Sequence, residues 1–155
     1  MNSTEKLLAK LMELRATLRA AQSSEAVAKA EITLESRFPD GVRDFYGCCD
    51  GVEDATAEWI WDFFSLQRMI ERTLDRRENE TLLLNEGERL PYRNLVCFCD
   101  VLIDAPTYLF CGDRDSRNYG RFYADQGKTG WLVAGSYEEF VDVFLLHHSD
   151  VLLNA

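Results

Sequence analysis

Proline and histidine are scarce in this chain, and basic residues are outnumbered. The 155 residues include three Pro, two His and 17 Lys plus Arg against 27 Asp plus Glu. Two histidines cannot build a His-rich metal centre. No apolar run approaches the roughly 20 residues that a membrane span needs. No Gly-x-Ser-x-Gly elbow, phosphate loop or dinucleotide fingerprint occurs, so the common catalytic signatures are missing. The opening stretch MNSTEKLLAKLMELRATLRA is charged throughout and has no apolar h-region, which predicts no secretory signal. The five cysteines (Cys48, Cys49, Cys97, Cys99 and Cys111) are odd in number and crowded into CC and CFC. That is a poor disulfide framework and points to a reducing cytoplasm.

Acid dominates what is present. The formal net charge is −10 at pH 7. Such a field repels polyanions, which disfavours direct DNA or RNA binding, and it favours a basic partner. Hydrophobic residues make up 46% of the chain, as in ordinary globular proteins. The length predicts one domain, 1–155, able to bury a core without staples.

Local patterns predict the elements. Leu7, Leu11, Leu14 and Leu18 recur at helical spacing, which predicts an amphipathic helix over 3–22. Ser24 before Glu25 caps a second helix reaching about Arg37. Pro39 suits a first helical position. Val42, Phe45, Tyr46 and Cys49 then share a face, and Gly51 ends that helix. Ala57–Phe63 reads as an aromatic strand. Leu66, Met69, Ile70 and Leu74 mark another helix. The polar stretch Asn79–Arg93 reads mostly as loop, with Thr81–Leu84 as its ordered part. Leu95–Ile103 and Thr107–Cys111 read as strands, and Arg121–Asp125 with Gly130–Ala134 as a hairpin around Gln126-Gly127-Lys128. Ser136 and Glu139 form a capping box for a last helix that buries Tyr137, Phe140, Val141, Phe144 and Leu145. Helices first, then strands joined by short turns, then a closing helix: this order predicts an α+β fold with a mainly antiparallel, curved sheet.

Several constellations resemble chemistry without meeting its requirements. Cys97 and Cys99 stand two apart on a predicted strand, which places both on one face. Zinc needs about four ligands at recognisable spacing, and no second pair lies nearby, so both read as small buried hydrophobes. Adjacent His147 and His148 point about 100° apart on a helix and read as C-terminal caps. The run Asp113–Gly120 fails the calcium-loop pattern, with Arg117 and Asn118 where an oxygen ligand and a glycine belong, and reads as a turn. Nothing brings Cys48 or Cys49 to a histidine. No catalytic residue, metal or cofactor is expected, and the chain is read as a non-enzyme. Arg68, Arg72 and Arg76 recur at i, i+4, i+8 beside Arg77. With Glu71 and Asp75 in reach, they predict a salt-bridged solvent face.

Two blocks carry a resemblance: EITLESRFPDGVRDFYGCCDG (31–51) and GWLVAGSYEEFVDVFL (130–146). Glu31, Phe38-Pro39, Val42, Phe45-Tyr46 and Asp50-Gly51 occupy the places of an acidic helix residue, Leu-Pro, an apolar pair and an Asn/Asp-Gly. Trp59-Trp61, Leu66–Leu74, Gly120–Tyr123 and Ser136–Phe140 follow in order. Over about 25–146 the chain resembles the SUKH superfamily, which includes Smi/Knr-type cell-wall regulators and bacterial toxin-immunity proteins. The helix at 3–22 falls outside that core. The resemblance implies a protein-binding module that neutralises a cognate toxin, often a nuclease. The other reading from the same family is a Smi/Knr-type regulatory scaffold.

The expected working surface is the stretch from Asp50 to Asp62. It holds Asp50, Glu53, Asp54, Glu58 and Asp62 with no basic residue between them. Trp59 and Trp61 fit either core or interface. The expected partner is a basic protein meeting these seven residues, with no direct nucleic-acid or membrane contact.

Overall fold

The computed structural model describes residues 1–53, 61–101 and 106–149. Among these, α1 (Ser3–Glu13), α2 (Ser24–Leu34) and α3 (Asp40–Cys48) come first. Strand β1 (Trp61–Phe63) and α4 (Leu66–Arg76) follow. Strands β2 (Thr81–Leu84), β3 (Arg89–Pro91), β4 (Leu95–Val101), β5 (Thr107–Cys111), β6 (Phe122–Asp125) and β7 (Thr129–Ala134) lead to α5 (Tyr137–His147). One seven-stranded sheet runs in the order β1-β4-β5-β6-β7-β2-β3. Every pairing is antiparallel except β2 with β7. The fold is α+β, as the order of helices and strands predicts.

Helix ends follow their caps. Asn2, Ser23, Ser65 and Ser136 each accept an orphan first-turn amide. At Ser136 the capping box forms with one difference. Glu139 Nα–H donates to Ser136 Oγ, but the Glu139 carboxylate returns to the Gly135 amide (2.9 Å) rather than to the cap's own. Pro39 is the N-cap of α3 rather than its first residue, and α3 ends at Cys48 with Cys49 extended.

Two predicted spans are shorter than expected. The first helix stops at Glu13, because Arg15 takes a left-handed conformation (φ 64°) that turns the chain. Leu18, on helical spacing in sequence, instead bridges Val52 as extended chain. The second helix stops at Leu34, where Glu35 (φ 50°) caps it. The stretch read as mostly loop carries a β2–β3 hairpin, which joins the sheet through β7.

The two faces of the sheet differ. One carries Phe63, Phe98, Phe110 and Phe122 and packs on Phe45 and Tyr46 of α3 and Phe140 and Phe144 of α5. Phe122 stacks on Phe140 at 4.6 Å. The α1 helix belongs to this layer. Its Leu7 and Leu11 are fully buried, and Thr4 Oγ1 shares a 2.9 Å hydrogen bond with the Tyr137 hydroxyl. Gly41 makes room for that junction, since a Cβ there would overlap the Tyr137 ring. Gly41→Ala is expected to cost about 1–3 kcal/mol by forcing α3 from α5. A lowered urea midpoint with unchanged slope would show it; an unchanged midpoint would mean the junction is loose.

Candidate functional site

The predicted surface starts where α3 ends. Gly51 turns the chain with φ 74°, and any Cβ there would meet the backbone of Phe63 and Phe64. Beside it, the Asp50 carboxylate is fully used. Oδ1 accepts the Leu66 amide (2.8 Å) and Oδ2 accepts Gln22 Nε2 (2.8 Å). The first bond satisfies an orphan amide in the first turn of α4. Asp50 is thus a clamp between α3 and α4. Val52 donates its amide to the Phe63 carbonyl (3.0 Å), and Glu53 donates its own to Thr17 (2.7 Å). The Glu53 side chain is exposed.

Trp61 and Asp62 lie inside the protein, which corrects the picture of an open stretch of uncompensated acids. Trp61 is 1% exposed, stacks on Tyr108 at 5.4 Å and meets Phe144 edge-on. Its Nε1–H donates to the His148 carbonyl (2.8 Å), which fixes the end of α5. Asp62 is 3% exposed and sits 2.6 Å from Arg68. Burial raises its carboxyl above the usual range, with Arg68 pulling the other way. Asp54, Glu58 and Trp59 lie outside the described residues.

Asp62 introduces a feature that sequence reasoning missed. Register aligns Asp62 with Asp100, Asp100 with Thr107 and Thr107 with Asp125. Directly opposed residues share a face, so one polar row crosses β1, β4, β5 and β6. Adjacent carboxylates in such a row repel. The α4 arginines compensate. Arg68 pairs with Asp62, Arg72 with Asp100 (2.7 Å) and Arg76 with Asp125 (3.0 Å), and Arg76 also donates to Thr107 (2.6 Å). Each step of four residues on the helix reaches another strand, so α4 crosses the strands. The i, i+4, i+8 arginines are therefore the clasp of α4 on the sheet rather than a solvent face paired to Glu71 and Asp75. Arg68 and Arg72 also lie over the Phe64 ring at 5.5 and 5.6 Å.

The cysteine pair is corrected as well. The register shifts between Cys97, opposite Leu109, and Cys99, opposite Tyr108. Consecutive β5 residues face opposite ways, so this β-bulge sends the two thiols to different faces. They cannot share a ligand. Burial pushes the Cys97 and Cys49 thiols up to about 11 and raises Cys99 and Cys111 too. Cys48 is the exposed one of the five. In native protein, Cys48 is expected to react with an aromatic disulfide reagent and the other four only on unfolding. Fast native-state labelling of Cys97 or Cys99 would contradict this placement.

A second acidic surface is assembled from three helices. Glu5 and Asp44 border one shallow cleft, and Asp40 and Glu138 border the next. Glu138 and Asp44 both add to the upward push that burial gives the Tyr137 hydroxyl. These acids are far apart in sequence, so no linear stretch signals them. Arg43 offsets part of this charge through Asp40 (2.7 Å).

Among the described residues, no three of His, Cys, Asp and Glu gather as metal ligands, and no helix is long and apolar enough to cross a membrane. No curated protein matches the chain. The sequence model of the SMI1 / KNR4 family (SUKH-1) matches residues 22–143. The match begins after α1 and includes the Asp50 clamp, the arginine clasp and most of α5. This chain belongs to the SMI1 / KNR4 family (SUKH-1).

Proposed function

We propose that this protein is a non-enzymatic binding module, an immunity protein that neutralises a basic toxin domain by covering its active face. The observation that carries the reading is family membership combined with the net charge of −10. A nuclease must hold polyphosphate, so its working face is basic, and an acidic protein can occupy it. Complementary charge speeds encounter, and a few desolvated anchors supply affinity. The free cysteines suit a reducing cytoplasm.

The proposed contact surface is the acidic stretch, now with divided roles. Glu53, with Asp54, Glu58 and Trp59, makes the contact. Asp50, Trp61 and Asp62 hold the two flanks in place. The Val52–Phe63 hydrogen bond (3.0 Å) ties these flanks together on either side of residues 54–60. A partner would therefore meet flanks that the fold already holds in place, and such preorganisation favours binding. The test is to isolate the stoichiometric partner from the cells that make this protein and assay that partner's activity with and without it. Inhibition at one-to-one ratio supports immunity. A bound partner whose activity is untouched supports the scaffold reading instead.

A further inference from the structure

A cleft of about 290 Å³ lies between α2 and α3, and its lining includes Gln22, whose side chain donates to Asp50 Oδ2. Its chemistry runs against the charge of the chain. The chain leaves α2 through Glu35 and is held there by the Glu31 carboxylate, which accepts the Phe38 amide (2.8 Å). Arg37 sits in this turn, its own amide donating to the Gly112 carbonyl (2.8 Å). Arg37 is half-buried and lines the cleft, yet among the described residues no hydrogen bond or ion pair engages its side chain. Other interior arginines bond protein acceptors, although Arg77 Nε is buried without a partner among the described residues. Arg68, Arg72 and Arg76 hold the sheet carboxylates, and Arg77 donates to the Leu34 and Leu95 carbonyls and to Ser36 Oγ.

Arg43 is the second cation of the lining. Its Nε donates to the Phe38 carbonyl (3.2 Å), and its ion pair is with Asp40, a carboxylate 93% exposed. Ser24, in the first turn of α2, brings the positive end of a helix dipole. Val27 and Ala28 supply an apolar wall. Glu31 is the opposing charge, already bonded to Phe38 and 4.0 Å from Arg43. In the lining of this cleft two arginines stand against one occupied carboxylate, while Arg37 also borders the adjoining cleft that holds Glu35, Asp113, Arg114 and Asp115.

We propose that this cleft binds a single carboxylate on a short apolar stem. Arg37 takes the carboxylate through its planar fork, Arg43 adds a second donor, and the stem lies on Val27 and Ala28. The volume is at the small end of ligand sites. Glu31 in the lining disfavours a doubly charged phosphate. A free short-chain acid and an Asp or Glu side chain of a bound protein present the same group.

Two-dimensional amide NMR of the full chain separates these sources. The probes are sodium butyrate and an acetylated, amidated Ala-Glu-Ala peptide, with sodium chloride at matched ionic strength and inorganic phosphate as controls. Saturable shifts are expected at Arg37 Nε–H and at the Ser24, Val27 and Gly47 amides. Butyrate saturating where the peptide does not identifies a free acid; the reverse identifies a protein side chain. Arg37→Gln is expected to weaken binding by at least about tenfold. Arg37→Lys keeps the charge and loses the fork, so it should also weaken binding, and it serves if Arg37→Gln fails to fold. No saturable shift with either carboxylate, equal binding by both variants, or tighter binding of phosphate would overturn the proposal. The titration needs no protein partner, so its outcome is independent of the immunity reading.

Discussion

Asp125→Ala is expected to lower stability by about 3–5 kcal/mol, the cost of leaving a partly buried cation without its partner. Asp125 is 1% exposed. Its Oδ2 accepts Arg76 Nη1 (3.0 Å) and the Tyr92 hydroxyl (2.7 Å), while Oδ1 accepts the Lys128 amide (3.0 Å). One carboxylate therefore joins α4, the turn after β3 and the β6–β7 hairpin. Removing it strands Arg76 on Thr107 alone and frees a turn in which Lys128 holds φ 74°. The Asp125→Leu, Arg76→Met pair should recover much of the loss, because an apolar pair leaves no orphaned charge. Urea unfolding of the two variants checks both statements. A loss below about 1 kcal/mol for Asp125→Ala would mean that the clasp is screened like a surface ion pair.

Phe98→Ala is expected to cost a similar 3–5 kcal/mol, the usual price of emptying an aromatic core site. Phe98 is fully buried. Its ring lies 5.2 Å from Phe45, 5.6 Å from Phe63, 5.9 Å from Phe122 and 6.1 Å from Phe140. It thus touches α3, β1, β6 and α5 at once. Domains of this size hold about 5–15 kcal/mol in total, so the variant should melt far below the parent. Phe98→Leu refills much of the cavity and should fall between them. A thermal midpoint for Phe98→Ala close to that of the parent would show that the layer collapses onto the gap.

Features written in local chemistry were legible in the sequence. The cap at Ser136, the hairpin at Gln126–Lys128 and the α+β order depend on neighbours a few residues apart, whereas α2 is capped by Ser23, one residue before the expected Ser24. The buried face of α5 follows from its periodicity. Features set by register were not legible. Arg68, Arg72 and Arg76 have Glu71 and Asp75 within helical reach, and only the alignment of β1, β4, β5 and β6 brings Asp62, Asp100 and Asp125 beneath them. The bulge at Cys97–Cys99 likewise breaks the alternation that a linear reading assumes. Leu18 kept helical spacing after Arg15 had already turned the chain. In the candidate surface, acidity was visible but burial was not. Trp61 and Asp62 face inward because β1 pairs with β4, while Asp50 is drawn to the open amide of Leu66.

Stopped-flow association with the purified basic partner, measured across ionic strength, tests the central claim most directly. Three proteins are compared: the parent, a Glu53→Gln, Asp54→Asn, Glu58→Gln variant, and a control carrying Asp44→Asn and Glu138→Gln on the three-helix surface. Asp50 and Asp62 are left intact because they hold the fold. If the acidic stretch receives the partner, the first variant associates more slowly and with a flatter salt dependence, while the control matches the parent. A first variant that folds and associates like the parent, with the loss appearing in the control instead, would contradict the account.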